Sequence, residues 1–563
     1  MKEFGTFDLE TDPFKVGRYP KAFAGAFFTG TVNTVFWGGD CLAKIVKKIL
    51  TFASQVKGGY IVYAHNGGKF DFHFILGEIL KHYNSADLKL IAIGSRLVSI
   101  KTPVCEFRDS YALIPKPLKA FGNKKDIDIA LLEEDKREAN KGEIIEYLKQ
   151  DTAGLFFALK DFEARYGIGL TLASTTFKVL KKEFGMKPIK TNEKYDDNFR
   201  PYYFAGRVQF FGLGAFGLKD GKKRYNICDI NSAFPWAMLS PHWFGGEYIR
   251  GENFPDEYAE QSFYHVICDS NGALPKRAKE GGVDFPVTTQ GEFYATGWEL
   301  LKGLELGLVK NLRIVTSYTP TECADFSSYV NHFYEMKKNA PDPASRDFAK
   351  LFLNSAYGKF ALNPREFRDV TITPCGELPE KKKIKLPGNR IKLKEWEHSF
   401  HDFSRGISFW QLPSNDPEAE IPMKFYNVCT AASITGKVRA FLQDSMHKSK
   451  GVLYCDTDSI IAENTDSLRI SDELGAWKLE KECDIVYIGG KKLYAAHSSN
   501  PSDKKEWKTA SKGVRLTVED LVSVCLGEAK SCTFEAPNYS VFSAPKFTTR
   551  TINRDDKRKK RTS

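Results

Sequence analysis

The segment GVLYCDTDSIIA, residues 451–462, restricts the architecture of the chain more than any other string in it. Apolar stretches flank the pair Asp456–Thr457, so the segment predicts a strand, a tight turn and a second strand. Asp456 and Asp458 then lie at the tip of a buried hairpin. Two carboxylates in such a place repel each other and lose hydration unless a cation is present. The segment therefore predicts a metal-binding hairpin tip.

A second acidic strand end lies upstream, in the segment YNICDINSAFPWAM. The strand signal runs from Lys223 to Ile230 and places Asp229 near its end, with Phe234 in the turn that follows. If this strand neighbours the hairpin, Asp229 and Asp458 meet at one edge. Carboxylates arranged in this way suit two Mg²⁺ ions, or Mn²⁺ as an alternative, in phosphoryl transfer.

The helical segment RDFAKLFLNSAYGKFA places a set of polar residues on one face. Arg346, Lys350, Asn354 and Tyr357 recur at intervals of four, four and three. Two cations and an aromatic ring on one helical face can hold a triphosphate and a base. The plainer alternative is an exposed amphipathic helix, but the string NSAYG is unlike the repetitive Glu/Lys surface usual there.

The N-terminal part of the chain carries a separate acidic set. Asp8 and Glu10 in FGTFDLET project to one face of a predicted strand, and Asp71 follows the apolar segment YIVYAHNGGKF. Tyr147 and Asp151 in EYLKQDTAGLF lie one helical turn apart. Four acids and a tyrosine suit two Mg²⁺ ions that activate water against a phosphodiester. For the strand pair alone, an exposed acidic strand end is an equal alternative.

Composition sets the outer limits. The 563 residues predict three or four structural units, and a content of 42% hydrophobic residues is that of a globular protein. No apolar run is long enough to span a bilayer and MKEFGTFDLE is not a signal sequence, so we expect a soluble protein in the cytoplasm of a host cell. Eleven cysteines without a CxxC pair predict free thiols. A net charge of +11 with 13% aromatics suits nucleic-acid binding, or a large enzyme of ordinary basic pI.

These strings together resemble two sets of motifs in a fixed order. DINSAFP, KLFLNSAYG and YCDTDS are similar to motifs A, B and C of family B DNA polymerases. The N-terminal strings resemble the DxE, Nx(2-3)(F/Y)D and Yx3D motifs of the DnaQ-like 3′-5′ proofreading exonucleases. YYFAGRVQ and GGKKLYAA resemble the YxGG and KxY elements of the same polymerases. Gaps of about a hundred residues on either side of Lys350 are similar to the two insertions of the φ29-like, protein-primed branch.

The resemblance implies a role for each motif residue. At the polymerase site it implies metal ligation by Asp229 and Asp458, with Asp456 as a neighbouring acid. It implies nucleotide contacts for Lys338, Arg346, Lys350, Asn354, Tyr357 and Phe234. At the exonuclease site it implies metal ligation by Asp8, Glu10, Asp71 and Asp151, with Tyr147 and Lys124 orienting water and phosphate. It implies DNA contacts for Asn66, Phe70, Ser110, Tyr203, Gly206, Arg207, Lys492 and Tyr494.

The chain departs from the family pattern at four of these positions. Ala205 replaces the first Gly of the YxGG element, and Tyr111 replaces Leu in the single-strand-binding element Asp109-Ser110-Tyr111. Phe234 keeps the ring of the usual Tyr and loses its hydroxyl, so we expect exclusion of a ribose 2′-OH to persist. Arg346 stands where Lys is usual and offers a planar fork in place of a point charge.

The resemblance also implies a fold of several domains. We expect an α/β, RNase H-like (DnaQ-like) exonuclease domain and an α+β right-hand polymerase domain with palm, fingers and thumb. The expected divisions are an exonuclease domain at 1–165, a connector at 166–222, a polymerase domain at 223–563, insertions resembling terminal protein regions 1 and 2 at about 255–320 and 361–424, fingers at about 326–360 and a thumb at about 500–563. Helical patterns at 142–162, 326–359 and 428–447 are consistent with these divisions. The second pattern is broken at 340–343.

The function implied is DNA-dependent DNA synthesis on a linear viral or plasmid genome, started from a terminal protein, with 3′-5′ proofreading and strand displacement. The implied partners of this monomeric enzyme are template, primer terminus, dNTPs, the terminal protein and a single-stranded DNA-binding protein, with no membrane. Three alternatives remain: a nucleic-acid-primed family B polymerase, a non-catalytic replication protein, and a nuclease with a vestigial palm. Basic residues at 381–394 predict either a DNA clamp or a solvated hairpin, and the tail KRKKR predicts a flexible segment.

Overall fold

A computed structural model gives the structure of the chain. It describes residues 3–13, 20–121, 126–187, 189, 191–217, 224–279, 281–402, 406–413, 426–500, 502–503, 505–514, 516–529, 531–540 and 543–555.

The α-helices of the described residues are α1 (Cys41–Gln55), α2 (Asp71–Leu80), α3 (Lys141–Tyr166), α4 (Leu172–Glu183), α5 (Glu193–Phe199), α6 (Ala233–Ala237), α7 (Gly297–Glu305), α8 (Ser327–Lys338), α9 (Pro343–Phe360), α10 (Val428–Lys448) and α11 (Val518–Leu526). The strands of the first half are β1 (Glu3–Thr11), β2 (Ala22–Phe28), β3 (Asn33–Trp37), β4 (Tyr60–Ala64), β5 (Lys89–Ile93), β6 (Arg96–Lys101), β7 (Cys105–Asp109), β8 (Val208–Phe210), β9 (Gly214–Phe216), β10 (Tyr225–Ile230), β11 (His242–Trp243), β12 (Tyr248–Gly251), β13 (Phe263–Asn271), β14 (Lys276–Arg277), β15 (Val283–Asp284) and β16 (Val287–Thr296). The remaining strands are β17 (Val309–Pro320), β18 (Cys323–Ala324), β19 (Arg368–Pro374), β20 (Lys382–Lys385), β21 (Ile391–Lys394), β22 (Glu397–Asp402), β23 (Ile407–Pro413), β24 (Lys450–Asp456), β25 (Ser459–Asn464), β26 (Trp477–Cys483), β27 (Ile485–Gly490), β28 (Leu493–His497), β29 (Trp507–Ser511), β30 (Ser531–Ser540) and β31 (Ser543–Asn553).

The N-terminal sheet has ten strands in the order β22-β23-β19-β5-β6-β7-β4-β1-β2-β3. Residues alternate along β1, so Phe7 and Leu9 enter the core that α1 and α2 cover. The opposite face meets α3, where the Thr6 hydroxyl donates to the carbonyl of Thr152 at 2.7 Å. Because Asp8 and Glu10 share the face of Thr6, the alternation directs both acids toward α3.

The strands of residues 368–413 extend this N-terminal sheet. The backbone of β19 pairs antiparallel with β5, placing Asp369 opposite Ile91. Ile372 and Phe409 are fully buried in the same core as Ile75. The β-rich character predicted for residues 361–424 is thus present in the described part, but its attachment to the N-terminal sheet is not visible in the sequence.

The central sheet has five strands in the order β26-β10-β25-β24-β8. Helix α10 covers one face, and Ile434 and Leu442 pack in the cluster that contains Cys228 and Cys455. The other face packs on the flanking sheet, which has the order β29-β28-β27-β9. The helix predicted at 428–447 and the hairpin predicted at 451–462 are both confirmed.

The two helices α8 and α9 form an antiparallel pair separated at the predicted break. The side chain of Asp342 accepts a hydrogen bond from the backbone N–H of Ser345, and Pro343 occupies the first helical turn. Phe333 and Phe352 stack across the pair, with centroids 5.0 Å apart.

The insertion sheet, with order β12-β17-β13-β16, lies in the segment predicted as the first insertion. A buried ion pair joins it to α10: Arg439 donates to both carboxylate oxygens of Glu299 on α7 at 2.7 and 2.9 Å. Arg439 also donates to the carbonyls of Phe204 and Ala205. Because a buried charge without its partner is strongly destabilising, this pair fixes α7, α10 and residues 204–205 together.

Two sequence expectations concern compartment and thiols. All eleven cysteines are free, as predicted, and eight of them are buried. Within the described ranges, none of the helices combines the length and apolar character that a bilayer crossing needs.

Candidate functional sites

The hairpin tip at Asp456 and Asp458 has a strained backbone. Asp456 pairs with Ser459 across the hairpin, and Thr457 between them has a φ of +58°. The N–H of Asp458 donates to the carbonyl of Asp456 at 2.6 Å, and the N–H of Thr457 donates to the carbonyl of Arg207 at 2.6 Å. A left-handed β-branched residue is costly, so neighbouring structure must hold it in place.

Asp229 lies beside this tip, as the sequence predicts. Strand β10 pairs with β25 so that Asp229 lies opposite Ser459, and the N–H of Ile230 donates to the carbonyl of Asp458 at 2.7 Å. Burial, followed by the charges of Asp458 and Glu480, raises the pKa of Asp229 to about 7. Burial also raises the pKa of Asp458, with added repulsion from Asp456 and Glu480. The two acids are therefore a coupled pair that a cation would stabilise.

Glu480 is a third carboxylate that sequence reasoning missed. It lies on β26, which borders β10 on the side away from the hairpin, and it forms an ion pair with Lys508. Its charge acts on both Asp229 and Asp458. The string WKLEKEC has no distinctive motif, but an acid on a strand that borders Asp229 is a signal that only the sheet order reveals.

Lys492 forms an ion pair with Asp456, the other acid of the hairpin tip beside Asp458. Its Nζ lies 2.9 and 3.1 Å from the two carboxylate oxygens of Asp456. The N–H of Lys492 donates to the Tyr454 hydroxyl at 3.0 Å, and that hydroxyl donates to Asp456 at 3.2 Å. Tyr494 is buried against Tyr454, with ring centroids 5.2 Å apart. Asp456 is thus paired within the protein, whereas Asp229 and Asp458 face each other.

The predicted nucleotide-binding face is present on α9. Arg346, Lys350 and Asn354 are exposed, and Tyr357 is half-buried. The ring of Phe234 stacks on Tyr357 with centroids 4.0 Å apart and planes at 13°. Lys350 is near enough to Asp229 to lower its pKa. The face therefore combines exposed cations with a flat aromatic pair beside the acidic tip.

A further cation beside this face is Lys337 on α8, which sequence reasoning passed over in favour of Lys338. The Nζ of Lys337 donates to the Ser232 hydroxyl at 3.3 Å, and Ser232 has a φ of +54°. Partial burial, then Lys350 and Arg346, lower the pKa of Lys337. Lys338 is exposed and, one residue on, points about 100° away around the helix. The KK pair in the sequence does not distinguish the two faces.

Residues 203–207, with the sequence YFAGR, lie against the hairpin tip at Asp456 and Asp458. A Cβ on Gly206 would be 2.4 Å from the Thr457 hydroxyl, so this close approach requires glycine. Arg207 differs from the expected DNA contact, because its side chain is 3% exposed, bonds to Gln209 and Gln443, and lies over the ring of Phe285. Its guanidinium holds the segment in place. Tyr203 is half-buried.

The second acidic site lies on the N-terminal sheet. Carboxylate oxygens of Asp8, Glu10 and Asp151 all lie within 4.8 Å of one another. Asp71 lies beside them, with its Oδ1 accepting from the N–H of Leu9 at 3.2 Å. Burial raises the pKa of Asp71 well above its ordinary range, and Asp109 and Asp151 raise it further. The structure thus brings together the four acids that lie far apart in sequence.

The structure describes all but one of the remaining residues predicted for this site. Asn66 has a φ of +61°, and Phe70 is half-buried with its ring against Phe74. Ser110 is buried, donates to the carbonyl of Ala64 at 3.2 Å and lies 3.0 Å from His65 Nδ1, so its side chain is engaged within the protein. Tyr147 is half-buried on α3. Lys124 lies outside the described residues.

The acidic residues described at both sites offer carboxylate oxygens, a donor type that fits hard divalent cations such as Mg²⁺ and Mn²⁺. Three clustered acids at one site and two mutually repelling acids at the other are each stabilised by added positive charge. The arrangement supports metal-assisted phosphoryl transfer at two separate places on one chain.

Comparison with known proteins assigns the family. The family model for DNA polymerase type B, organellar and viral, matches residues 124–387. The chain is also 34% identical over 526 residues to the DNA-directed DNA polymerase of Enterobacteria phage PRD1, an alignment covering 92% of this chain and 87% of that one. The chain therefore belongs to the type B DNA polymerases of organelles and viruses.

A second relative supports the family, and a solved structure supports the fold. A probable DNA polymerase of Agaricus bitorquis is 25% identical over 84% of this chain and 69% of its own. The solved phi29 DNA polymerase, in complex with primer-template DNA and incoming nucleotide, superposes with a TM-score of 0.71 at 17% identity over 99% of this chain and 100% of its own. The predicted multidomain fold and the resemblance to the φ29 enzyme are thereby confirmed.

The raised pKa of Asp229 predicts a pH-dependent stability of the metal-free protein. A carboxyl whose folded pKa is raised stabilises the fold at low pH and loses this contribution as pH rises toward about 7. In EDTA, Asp229→Asn should therefore raise the melting temperature relative to the unmodified protein at pH 8 and not at pH 4, by about 1–3 °C. Differential scanning fluorimetry measures both. A pH-independent difference between the two proteins would contradict the assignment.

Proposed function

We propose that this DNA polymerase initiates synthesis from a terminal protein and proofreads its product at a separate 3′-5′ exonuclease site. The observation that carries the proposal is the presence of two acidic sites on one chain. One lies at the tip of the central sheet beside the cationic face of α9, and the other lies between β1 and α3. In this proposal residues 1–165 form the exonuclease domain, 326–360 the fingers and about 500–563 the thumb.

At the polymerase site, Asp229 and Asp458 would hold two Mg²⁺ ions, with Glu480 adding charge nearby. Bound metal supplies charge neutralisation of the triphosphate and a lowered pKa of the primer 3′-OH. Arg346, Lys350 and Lys337 bind the triphosphate, because they are the cations that converge on this edge. The Phe234–Tyr357 stack supports the base and sugar. The resemblance implies that the Phe234 ring excludes a ribose 2′-OH.

At the exonuclease site, Asp8, Glu10, Asp71 and Asp151 would hold the metal pair that activates water. Their repulsion in the metal-free protein is the physical reason that they bind cations. Tyr147 and Lys124 orient the water and the scissile phosphate. Asn66 and Phe70 hold the frayed primer end by contact with its last bases.

Protein priming is supported by family membership and by the two inserted segments. The insertion sheet presents exposed apolar side chains, Ile249 and Val287, that suit a protein partner. The hairpin β20–β21 carries a row of lysines, of which Lys382 and Lys381 pair with Asp369 and Glu395. The other lysines of the hairpin, exposed like Lys383 or half-buried like Lys394, suit a DNA backbone, a clamp that favours strand displacement.

Two independent sites predict separable activities. Asp458→Ala should lower primer extension by about 10³-fold or more, because charge stabilisation at the triphosphate is lost, and should leave degradation of a 5′-labelled primer intact. Asp8→Ala combined with Asp71→Ala should abolish degradation and retain extension. Both activities are read from the same labelled primer with and without dNTPs.

The exposed Asp466→Ala, on the segment just after the hairpin, serves as the matched control and should change neither activity. Extension that survives Asp458→Ala would refute the metal assignment at the hairpin. Loss of both activities in each variant would refute two independent sites.

Protein priming predicts a covalent product. With template, labelled dNTP and the cognate terminal protein, the polymerase should attach a deoxynucleotide to that protein, because its hydroxyl replaces the primer 3′-OH at the same metal pair. Denaturing gel electrophoresis detects the labelled protein, and the Asp458→Ala enzyme is the control. If an annealed DNA primer is extended while the terminal protein stays unlabelled, the enzyme is nucleic-acid-primed.

A further inference from the structure

We propose that Asp555 is a positioning residue for polymerisation, which fixes the turn that presents Lys492 to the acidic hairpin. The proposal rests on the polymerase function given above. The turn comprises the last two residues of β27, Gly489 and Gly490, and the two residues that precede β28, Lys491 and Lys492. Asp555 is the last residue that the structure describes, at the end of the C-terminal hairpin β30–β31.

The backbone of this turn is unusual in its φ angles and in its strand register. Gly490 has a φ of +146° and Lys492 a φ of +53°, and the β27–β28 register shifts between Ile488 and Gly490. A lysine in the left-handed region is strained and persists only when its surroundings impose that conformation. The contacts around the turn therefore determine where the Lys492 ammonium lies.

Asp555 supplies two of these contacts through hydrogen bonds to the backbone. Its N–H donates to the carbonyl of Gly489 at 2.8 Å, and its Oδ2 accepts from the N–H of Lys491 at 3.1 Å. A Cβ on Gly490 would be 2.4 Å from Asp555 Oδ2, so the carboxylate lies directly on the turn. Asp555 thus clamps the residues on both sides of Gly490.

The C-terminal segment is itself anchored close to this clamp. Ile552 is 5% exposed and packs in the cluster of Leu493, Leu521 and Val524. Lys512 connects the same two pieces: its N–H donates to the carbonyl of Lys492 at 2.7 Å, and its Nζ donates to the carbonyl of Asn553 at 3.3 Å. Asp555 therefore approaches the turn from a fixed position.

On the side away from Asp555, the turn contacts the hairpin that carries Asp456 and Asp458. The N–H of Lys492 donates to the Tyr454 hydroxyl, and its Nζ pairs with Asp456 at 2.9 Å. The Nζ of Lys491 donates to the carbonyl of Val283, beside the insertion sheet, at 2.9 Å. A displacement of the turn would move the Lys492 ammonium away from Asp456. The resemblance to the KxY element implies that this ammonium contacts DNA, and we place that contact at the primer terminus.

The test uses the full-length enzyme and steady-state extension of an annealed primer–template. Asp555→Ala should raise the KM for primer–template about five- to tenfold, the effect of one lost hydrogen bond and a shifted cation, with kcat changed less than about twofold. Asp555→Asn should stay within about twofold of the unmodified enzyme, because its amide oxygen still accepts from Lys491 and the ion pair with Lys512 that it loses is long, at 3.7 Å, and partly exposed. Asp520→Ala, an exposed acid on α11, should have no effect.

A double-mutant cycle decides whether Asp555 acts through Lys492. Lys492→Ala should raise the same KM, and adding Asp555→Ala to it should change the KM by less than about twofold. Full additivity, or an Asp555→Asn enzyme as impaired as Asp555→Ala, would overturn the proposal. If Asp555→Ala does not fold, Asp555→Ser, whose hydroxyl is too short to reach the Lys491 amide, replaces it.

The cycle also separates this proposal from the function on which it rests. If Lys492→Ala raises the KM and Asp555→Ala leaves it unchanged, the role of Lys492 stands and the positioning role of Asp555 fails. If Lys492→Ala leaves the KM unchanged, the proposed contact with the primer terminus fails and Asp555 has nothing to position.

Discussion

Repulsion between Asp229 and Asp458 shapes the centre of this molecule. The two carboxylates are held side by side by the pairing of β10 with β25, and Glu480 on β26 adds a third negative charge. In the metal-free protein the repulsion opposes the fold, and the buried sheet and α10 must outweigh it. Under the proposed function, the stability of the core keeps this unfavourable charge arrangement in place for the cations and the triphosphate that would bind there.

Backbone strain also occurs within the motifs. Of the nine non-glycine residues with positive φ in the described part of the chain, four lie in motifs that the sequence singles out: Asn66, Ser232, Thr457 and Lys492. At Thr457 the tip is held by the carbonyl of Arg207, and Gly206 allows this close approach. The buried Arg439–Glu299 pair fixes the preceding residues 204–205 to α7 and α10. The position of the hairpin tip at Asp456 and Asp458 therefore depends on segments far apart in the chain.

The sequence predicts the local elements and the sites better than the arrangement of the parts. Alternation and turn residues are local signals, so the hairpin at 451–462, the break between α8 and α9, and α10 were predicted close to their observed bounds. The meeting of Asp8, Glu10 and Asp151, and that of Asp229 with Asp458, followed from recognised motifs. The direction in which a side chain points is harder to predict. The sequence does not reveal that Lys337 rather than Lys338 reaches Ser232, or that Arg207 is buried. Sheet order is a property of the whole fold, so neither Glu480 nor the attachment of β19 to β5 was foreseen.

The central claim is that the carboxylates of Asp229 and Asp458 together hold the catalytic metals. Anomalous diffraction tests it most directly, with crystals grown from the enzyme, primer–template, a non-hydrolysable deoxynucleotide and Mn²⁺. The account predicts two Mn²⁺ peaks, both within coordination distance of Asp229 and Asp458, about 4 Å apart. An absence of peaks between these two residues, with ordered nucleotide present, would contradict it.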